Sequence, residues 1–232
     1  MEFSPIIKRK FSEADWFLIV ANLLPVYGVW FANWHPREIF LVYCLETVII
    51  GLFTLLKLSI ATTVRKRDWW YNNGGKTMVH GLFFIFFFLI HYGFFVAVQM
   101  TLFLNFTSIN NIINPSALQL FFHPFRYLGS HAWLMMSAFV FSYGYENLSR
   151  FIINNEYRSK PFMRIMFEPY MRIFVQQFTV IIGGFILAFG GGKIFILLFA
   201  LIKIFFTVCF DYNAMLDKAV QKKTIERQQE II

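Results

Sequence analysis

The sequence predicts an all-α membrane protein, a bundle of six transmembrane helices with both termini cytoplasmic. Three observations carry that expectation: apolar runs of bilayer-spanning length, a composition too hydrophobic for a soluble domain, and cations gathered on one side. Of the 232 residues, 58% are hydrophobic, 15% are charged and 32 are Phe. A soluble chain of this length has too little polar surface to cover so much apolar area.

Spans of about 20 residues fall near 15–34, 38–63, 79–106, 132–152, 165–188 and 193–212. The first follows the basic Lys8-Arg9-Lys10 but is too long for a signal-peptide core and lacks a small-x-small cleavage site. It is read as a retained span, kinked at Pro25. Pro36 opens the second span after a hairpin connection. The third is long enough to tilt or protrude. Gly190-Gly191-Gly192 makes a tight turn between the fifth and sixth, where glycine can take positive φ.

Residues 1–14 read as a cytoplasmic or interfacial segment, 15–212 as the transmembrane domain, and 213–232 as a cytoplasmic tail with a short helix. The loop from Arg65 to Lys76 holds Trp69, Trp70 and Tyr71, suited to the headgroup region, then an Asn72-Asn73-Gly74-Gly75 turn. The stretch from Ser108 to Ser130 is the one long loop, and Ser116 to Phe122 within it is apolar enough to enter the interface.

Charge sets the orientation. Under this topology 15 Lys and Arg fall on one side, among them Lys8, Arg65, Lys76, Arg150, Arg164 and Lys222, against Arg37, Arg126 and Lys193 on the other. The positive-inside bias then places both termini in the cytoplasm. The net charge of +8 follows from topology, and its spread over four segments argues against nucleic-acid binding. Cys44 and Cys209 lie near opposite faces, so no disulfide is expected.

Glu46, His91, Arg172 and Lys203 stand inside the spans. Each charge costs ~2.5–3.5 kcal/mol near a helix centre on insertion scales, so such residues mark pairs, solute paths or proton relays. At 1.5 Å per residue, His91 lies ~18 Å along its helix, and Glu46 ~12 Å and Lys203 ~15 Å from their outer ends. These three can share a layer. Arg172, ~10 Å from the cytoplasmic end, is shallow enough to snorkel, and Lys57 is expected to do so. Arg172, Gln176, Thr179 and Gly183 form a stripe on the fifth helix, where Gly183, Gly184 and Ala188 admit a close neighbour. Thr207 stands one turn from Lys203; Gln99 and Gln177 complete the candidate polar set. A mutually neutralising set, with Glu46 against Lys203 or Arg172, is the structural alternative to a solute, proton or cofactor site.

No His-Glu-x-x-His, Gly-x-Ser-x-Gly or P-loop pattern is present. His123 and His131 read as interfacial, and His91 is the single histidine deep in a span, whereas haem between helices usually takes two. No metal or other cofactor is predicted.

The segments Arg37 to Glu46 through Lys57, His91-Tyr92-Gly93, and Tyr170-Met171-Arg172 through Gly183-Gly184-Phe185 resemble an uncharacterised family of small bacterial integral membrane proteins, over roughly 18 to 210. The resemblance implies an inner-membrane protein centred on Glu46, His91 and Arg172. Relatives often carry histidine at the positions of Gln99 and Gln177 and asparagine at that of Thr47. A glutamate with three histidines would suggest a metal or haem; the glutamines here are poor ligands for either.

The leading expectation is a small-solute or ion carrier or channel-like protein, or a subunit of one, acting in the bilayer alone, as a homo-oligomer or in a membrane complex. An intramembrane enzyme on a lipid or quinone-like substrate is the second, with Glu46 as base, His91 as acid or orienting group and Arg172 on a headgroup phosphate. A structural or partner-binding subunit is the third.

Overall fold

The computed structural model describes residues 13–72, 75–107, 123 and 128–209. They are mainly helical: α1 (Glu13–Phe31), α2 (Pro36–Arg65), α3 (Gly81–Thr107), α4 (Ser130–Tyr143), α5 (Arg150–Ile153), α6 (Glu156–Ser159), α7 (Phe162–Phe167), α8 (Tyr170–Ala188) and α9 (Gly192–Cys209). Two are long and apolar enough to cross a bilayer, α2 and the Gly81–Leu102 part of α3. The apolar stretch before Ser130, Asp211 and the tail lie outside the described residues, as does the Thr207 side chain.

Local chemistry sets the boundaries. Pro36 opens α2, where its missing N–H costs nothing, and Glu38 in the first turn suits the positive end of the helix. Arg65 occupies the last turn; Lys66 leaves the helix at φ 61° and its N–H returns to the Thr62 carbonyl at 2.9 Å. α1 runs through Pro25 as one helix. The expected fourth span is α4 continued into α5 through a π-helical turn, Gly144–Ser149. The expected fifth is broken, because Pro169 cannot extend α7 and α8 starts afresh at Tyr170. Gly190 takes φ 81° in the turn to α9, as the glycine run suggests.

The segment after α2 is more ordered than a loop with a turn. Arg67–Asn72 and Gly75–His80 form an antiparallel hairpin, β1 and β2, paired from Arg67 with His80 to Asn72 with Gly75. Trp70 folds it against α3, its ring 5.1, 5.7 and 5.5 Å from those of Phe83, Phe84 and Phe87. Neither strand alternates apolar with polar residues, so the period-2 pattern that marks a strand is absent from both.

The long helices pack in a closed order, α1 on α9, α9 on α8, α8 on α3, α3 on α2, α2 on α4 and α4 on α1, and α2 also meets α9. Within the apolar windows, α2 is 72% buried and α3 only 28%, which makes α2 the inner helix and α3 an outward one. The exposed face of α3 carries Phe83, Phe86, Leu89, Ile90 and Phe94. Gly183 lets α9 approach α8: a Cβ there would overlap the Phe195 ring.

Candidate functional site

The inner helix carries the acidic residue. Glu46 is fully buried on α2 and its Oε2 is ion-paired with Lys203 Nζ from α9. Tyr143, the last residue of α4, donates its hydroxyl to Glu46 Oε1 at 2.8 Å. The Lys203 ammonium lies 5.0 Å from the centres of both the Tyr43 and Phe139 rings, whose π-faces add to the stabilisation of the cation. Two charges withdrawn from water are therefore met by each other, by a hydroxyl and by aromatic faces, the condition under which a buried pair is tolerated.

The α8 stripe supplies the next wall. Gln176 donates to the Tyr43 carbonyl, and the Arg172 guanidinium lies 5.4 Å from the Tyr143 ring. Thr179 turns its hydroxyl back to the Val175 carbonyl at 2.8 Å, so it closes its own polar group. Glu46, Tyr143, Arg172, Gln176, Lys203 and three apolar residues enclose a cavity of ≈ 20 Å³. That is about the room one water molecule needs. Arg172 thus faces the buried pair.

The other candidates lie elsewhere. His91 is exposed on α3; its Nδ1 and the Tyr170 hydroxyl share a hydrogen bond of 2.7 Å, and its ring stacks on Phe87 at 5.4 Å. Gln99 is buried beside the Cys44 thiol. Gln177 donates to the Phe95 carbonyl at 3.0 Å. A glutamate-centred ligand set at these positions does not fit: His91 and Gln177 face partners of their own, and no three His, Cys, Asp or Glu side chains gather among the described residues.

Below the pair, at the end of the molecule that holds the β-hairpin, a second cavity of ≈ 400 Å³ opens. Its walls include Lys57 from α2, Arg150 from α5, Lys160 and Arg164 around the start of α7, and Arg172, with Glu156 and Glu168. Lys57 does not snorkel alone, as the sequence suggested: it is 5% exposed and paired with Glu168 at 3.2 Å. Lys160 bridges Glu156 and Glu168, each at 3.2 Å. Glu168 thus accepts from two lysines at once, one on α2 and one ahead of α7. Nearby, Arg65 donates to the Lys160 carbonyl and pairs with Asp68 at 3.3 Å, and Asp68 accepts from the Phe162 N–H at 2.7 Å. The hairpin, α2 and α7 are fastened together there.

Arg172 lines both cavities. Sequence reasoning did not find Tyr143, because a tyrosine in an apolar run carries no signal of its own. It also passed over the basin, because Arg150, Lys160 and Arg164 served as topology markers. The Glu156–Lys160 spacing of four was the legible hint.

A family model described as a family of unknown function, DUF6498, matches residues 8–230. The chain belongs to this family. No curated protein and no solved structure matches it.

Proposed function

We propose that the protein is a multi-pass protein of the bacterial inner membrane that carries or conducts a small solute or ion, alone, as a homo-oligomer or as a subunit of a complex. Its six spans, its cytoplasmic termini and its contact with lipid through the phenylalanine-rich face of α3 belong to this reading. The observation that carries it is the buried Glu46–Lys203 pair on the wall of a small cavity, joined through Arg172 to a wide basic basin. Intramembrane charges that border cavities are the usual apparatus of transport.

The pair offers a coupling device. While Glu46 is ionised, Lys203 is neutralised within the protein. A proton delivered to Glu46 releases Lys203 to neutralise an incoming anion, so a proton and an anion enter the centre together. Tyr143 can donate to the ionised carboxylate and accept from the protonated one. Arg172, between basin and pair, is placed to pass the anion on.

The enzyme reading asks Glu46 and His91 to act on one substrate. The partners of His91, Tyr170 and Phe87, are not those of Glu46, which lends that reading no support. The test is flux in proteoliposomes, with a trapped pH dye for protons and labelled phosphate and chloride for anions. Glu46→Gln is expected to abolish the flux seen in wild type. Unchanged flux at equal incorporation would remove Glu46 from the mechanism.

A further inference from the structure

We infer that the outer face of the β-hairpin is a docking surface for the anionic headgroups of acidic phospholipids, at the end of α3 that enters the bilayer. Residues opposite one another in an antiparallel pair share a face, and faces alternate along each strand. The register therefore puts Arg67 with His80 and Trp69 with Met78 on one side, and Lys76 joins them two residues before Met78. Asp68, Trp70 and Val79 fall on the other side. Burial follows the same division: the first five are exposed, the last three partly buried. The inward side is occupied within the protein. Trp70 packs on Phe83, Phe84 and Phe87, and Asp68 holds Arg65 and the Phe162 N–H.

The outward side differs in kind. It carries Arg67 and Lys76, and Lys66 is exposed at the neck that joins α2 to β1. None of these three cations pairs with a carboxylate among the described residues, and Asp68, the acidic group beside Arg67 in the chain, is paired with Arg65. Lys76 lies 5.1 Å from the centre of the Trp69 ring, and Trp69 and Met78 are 38% and 50% exposed. Cations interleaved with an indole and a flexible apolar chain suit a bilayer interface: tryptophan sits at headgroup level, while lysine and arginine meet anionic lipid. The hairpin also stands where such a surface is needed. The Lys66 carbonyl accepts the Gly81 N–H at 2.8 Å and His80 Nδ1 accepts the Leu82 N–H at 3.2 Å, so the sheet is fixed to the start of α3. The exposed apolar face of α3 begins there, with Leu82, Phe83 and Phe86. Charge selects an anionic partner, and continuity with that face selects lipid. The inference rests on the reading of α3 as a membrane span and is independent of any carrier activity.

The full chain is reconstituted in nanodiscs of equal parts phosphatidylcholine and phosphatidylglycerol, then taken into detergent, washed and extracted for retained lipid. Wild type is expected to retain phosphatidylglycerol over phosphatidylcholine by about fivefold or more, the scale of one basic residue near an anionic surface, and to lose most of that preference at high salt. Lys66→Gln/Arg67→Gln/Lys76→Gln, which changes exposed side chains only, should lose the preference at low salt as well. Equal preference in wild type and variant, or none in wild type, overturns the site. Trp69 supplies a second readout should the variant fail to fold. The fluorescence missing from Trp69→Phe is the Trp69 share, and phosphatidylglycerol brominated in the upper acyl chain must quench that share more than phosphatidylcholine labelled in the same way. Equal quenching overturns the site too. Alkaline carbonate extraction tells the two failures apart: a chain released from membranes defeats the reading of α3 as a span, whereas a chain that stays and shows no lipid preference defeats the docking surface alone.

Discussion

Replacing Glu46 by glutamine keeps the shape of the side chain and the acceptor for Tyr143 but removes the only charge seen to pair with Lys203 among the described residues. The cost follows from the burial of both partners, whose side chains are 0% and 10% exposed. A lysine left charged there has no water to replace the carboxylate, and breaking one side of a buried pair costs about 3–5 kcal/mol. Lys203→Met alone leaves a carboxylate that can take up a proton, so it should cost less. The double variant Glu46→Gln/Lys203→Met removes both charges and leaves a methionine that packs among Tyr43, Phe139 and Phe199; replacing a buried pair in this way is often neutral. Reversible unfolding in mixed detergent and dodecyl sulfate micelles measures all four proteins as a double-mutant cycle. A loss under about 1 kcal/mol for Glu46→Gln, or a double variant as unstable as the sum of the singles, would refute a buried and mutually dependent pair.

Three further outcomes follow from neighbouring groups. Tyr143→Phe should cost about 1.5–3 kcal/mol in the same unfolding assay, since it removes a hydroxyl donated to a charged acceptor. Gly183→Leu should cost about 1–3 kcal/mol or more by forcing a side chain into Phe195; Gly93→Ala, where nothing lies within 4 Å of the new carbon, should be neutral or stabilise through helix propensity. Glu168→Gln should lower the melting temperature, because it takes from the buried Lys57 the carboxylate it pairs with at 3.2 Å. A melting temperature equal to that of wild type would contradict the ion-pair assignment.

Helix positions were legible in the sequence because apolar length and glycine or proline punctuation fix them: Pro36 and the Gly190 turn stand at the boundaries they announce. The break at Pro169 was hidden because α7 and α8 are both apolar, so one hydropathy window covers them. The β-hairpin was hidden because its order comes from Trp70 packing on α3, a contact between segments that no local pattern encodes. In the candidate site, Glu46, Arg172 and Lys203 stood out through the cost of charge in an apolar helix. Which of them pair depends on helix rotation about α2, and depth along the axis does not specify rotation. His91 shows the consequence: its depth matched Glu46, yet it lies on the exposed side of α3 with Tyr170. Glu168 and the basin arise from short helices folded under α2, where sequence separation is 111 residues between Lys57 and its partner.

The most direct measurement is flux through proteoliposomes that contain Glu46→Gln/Lys203→Met, the variant expected to keep its fold. If the pair is the working centre, proton and anion flux are lost although incorporation and unfolding match wild type. Wild-type flux from that protein would show that Glu46 and Lys203 serve only to hold α2 against α9.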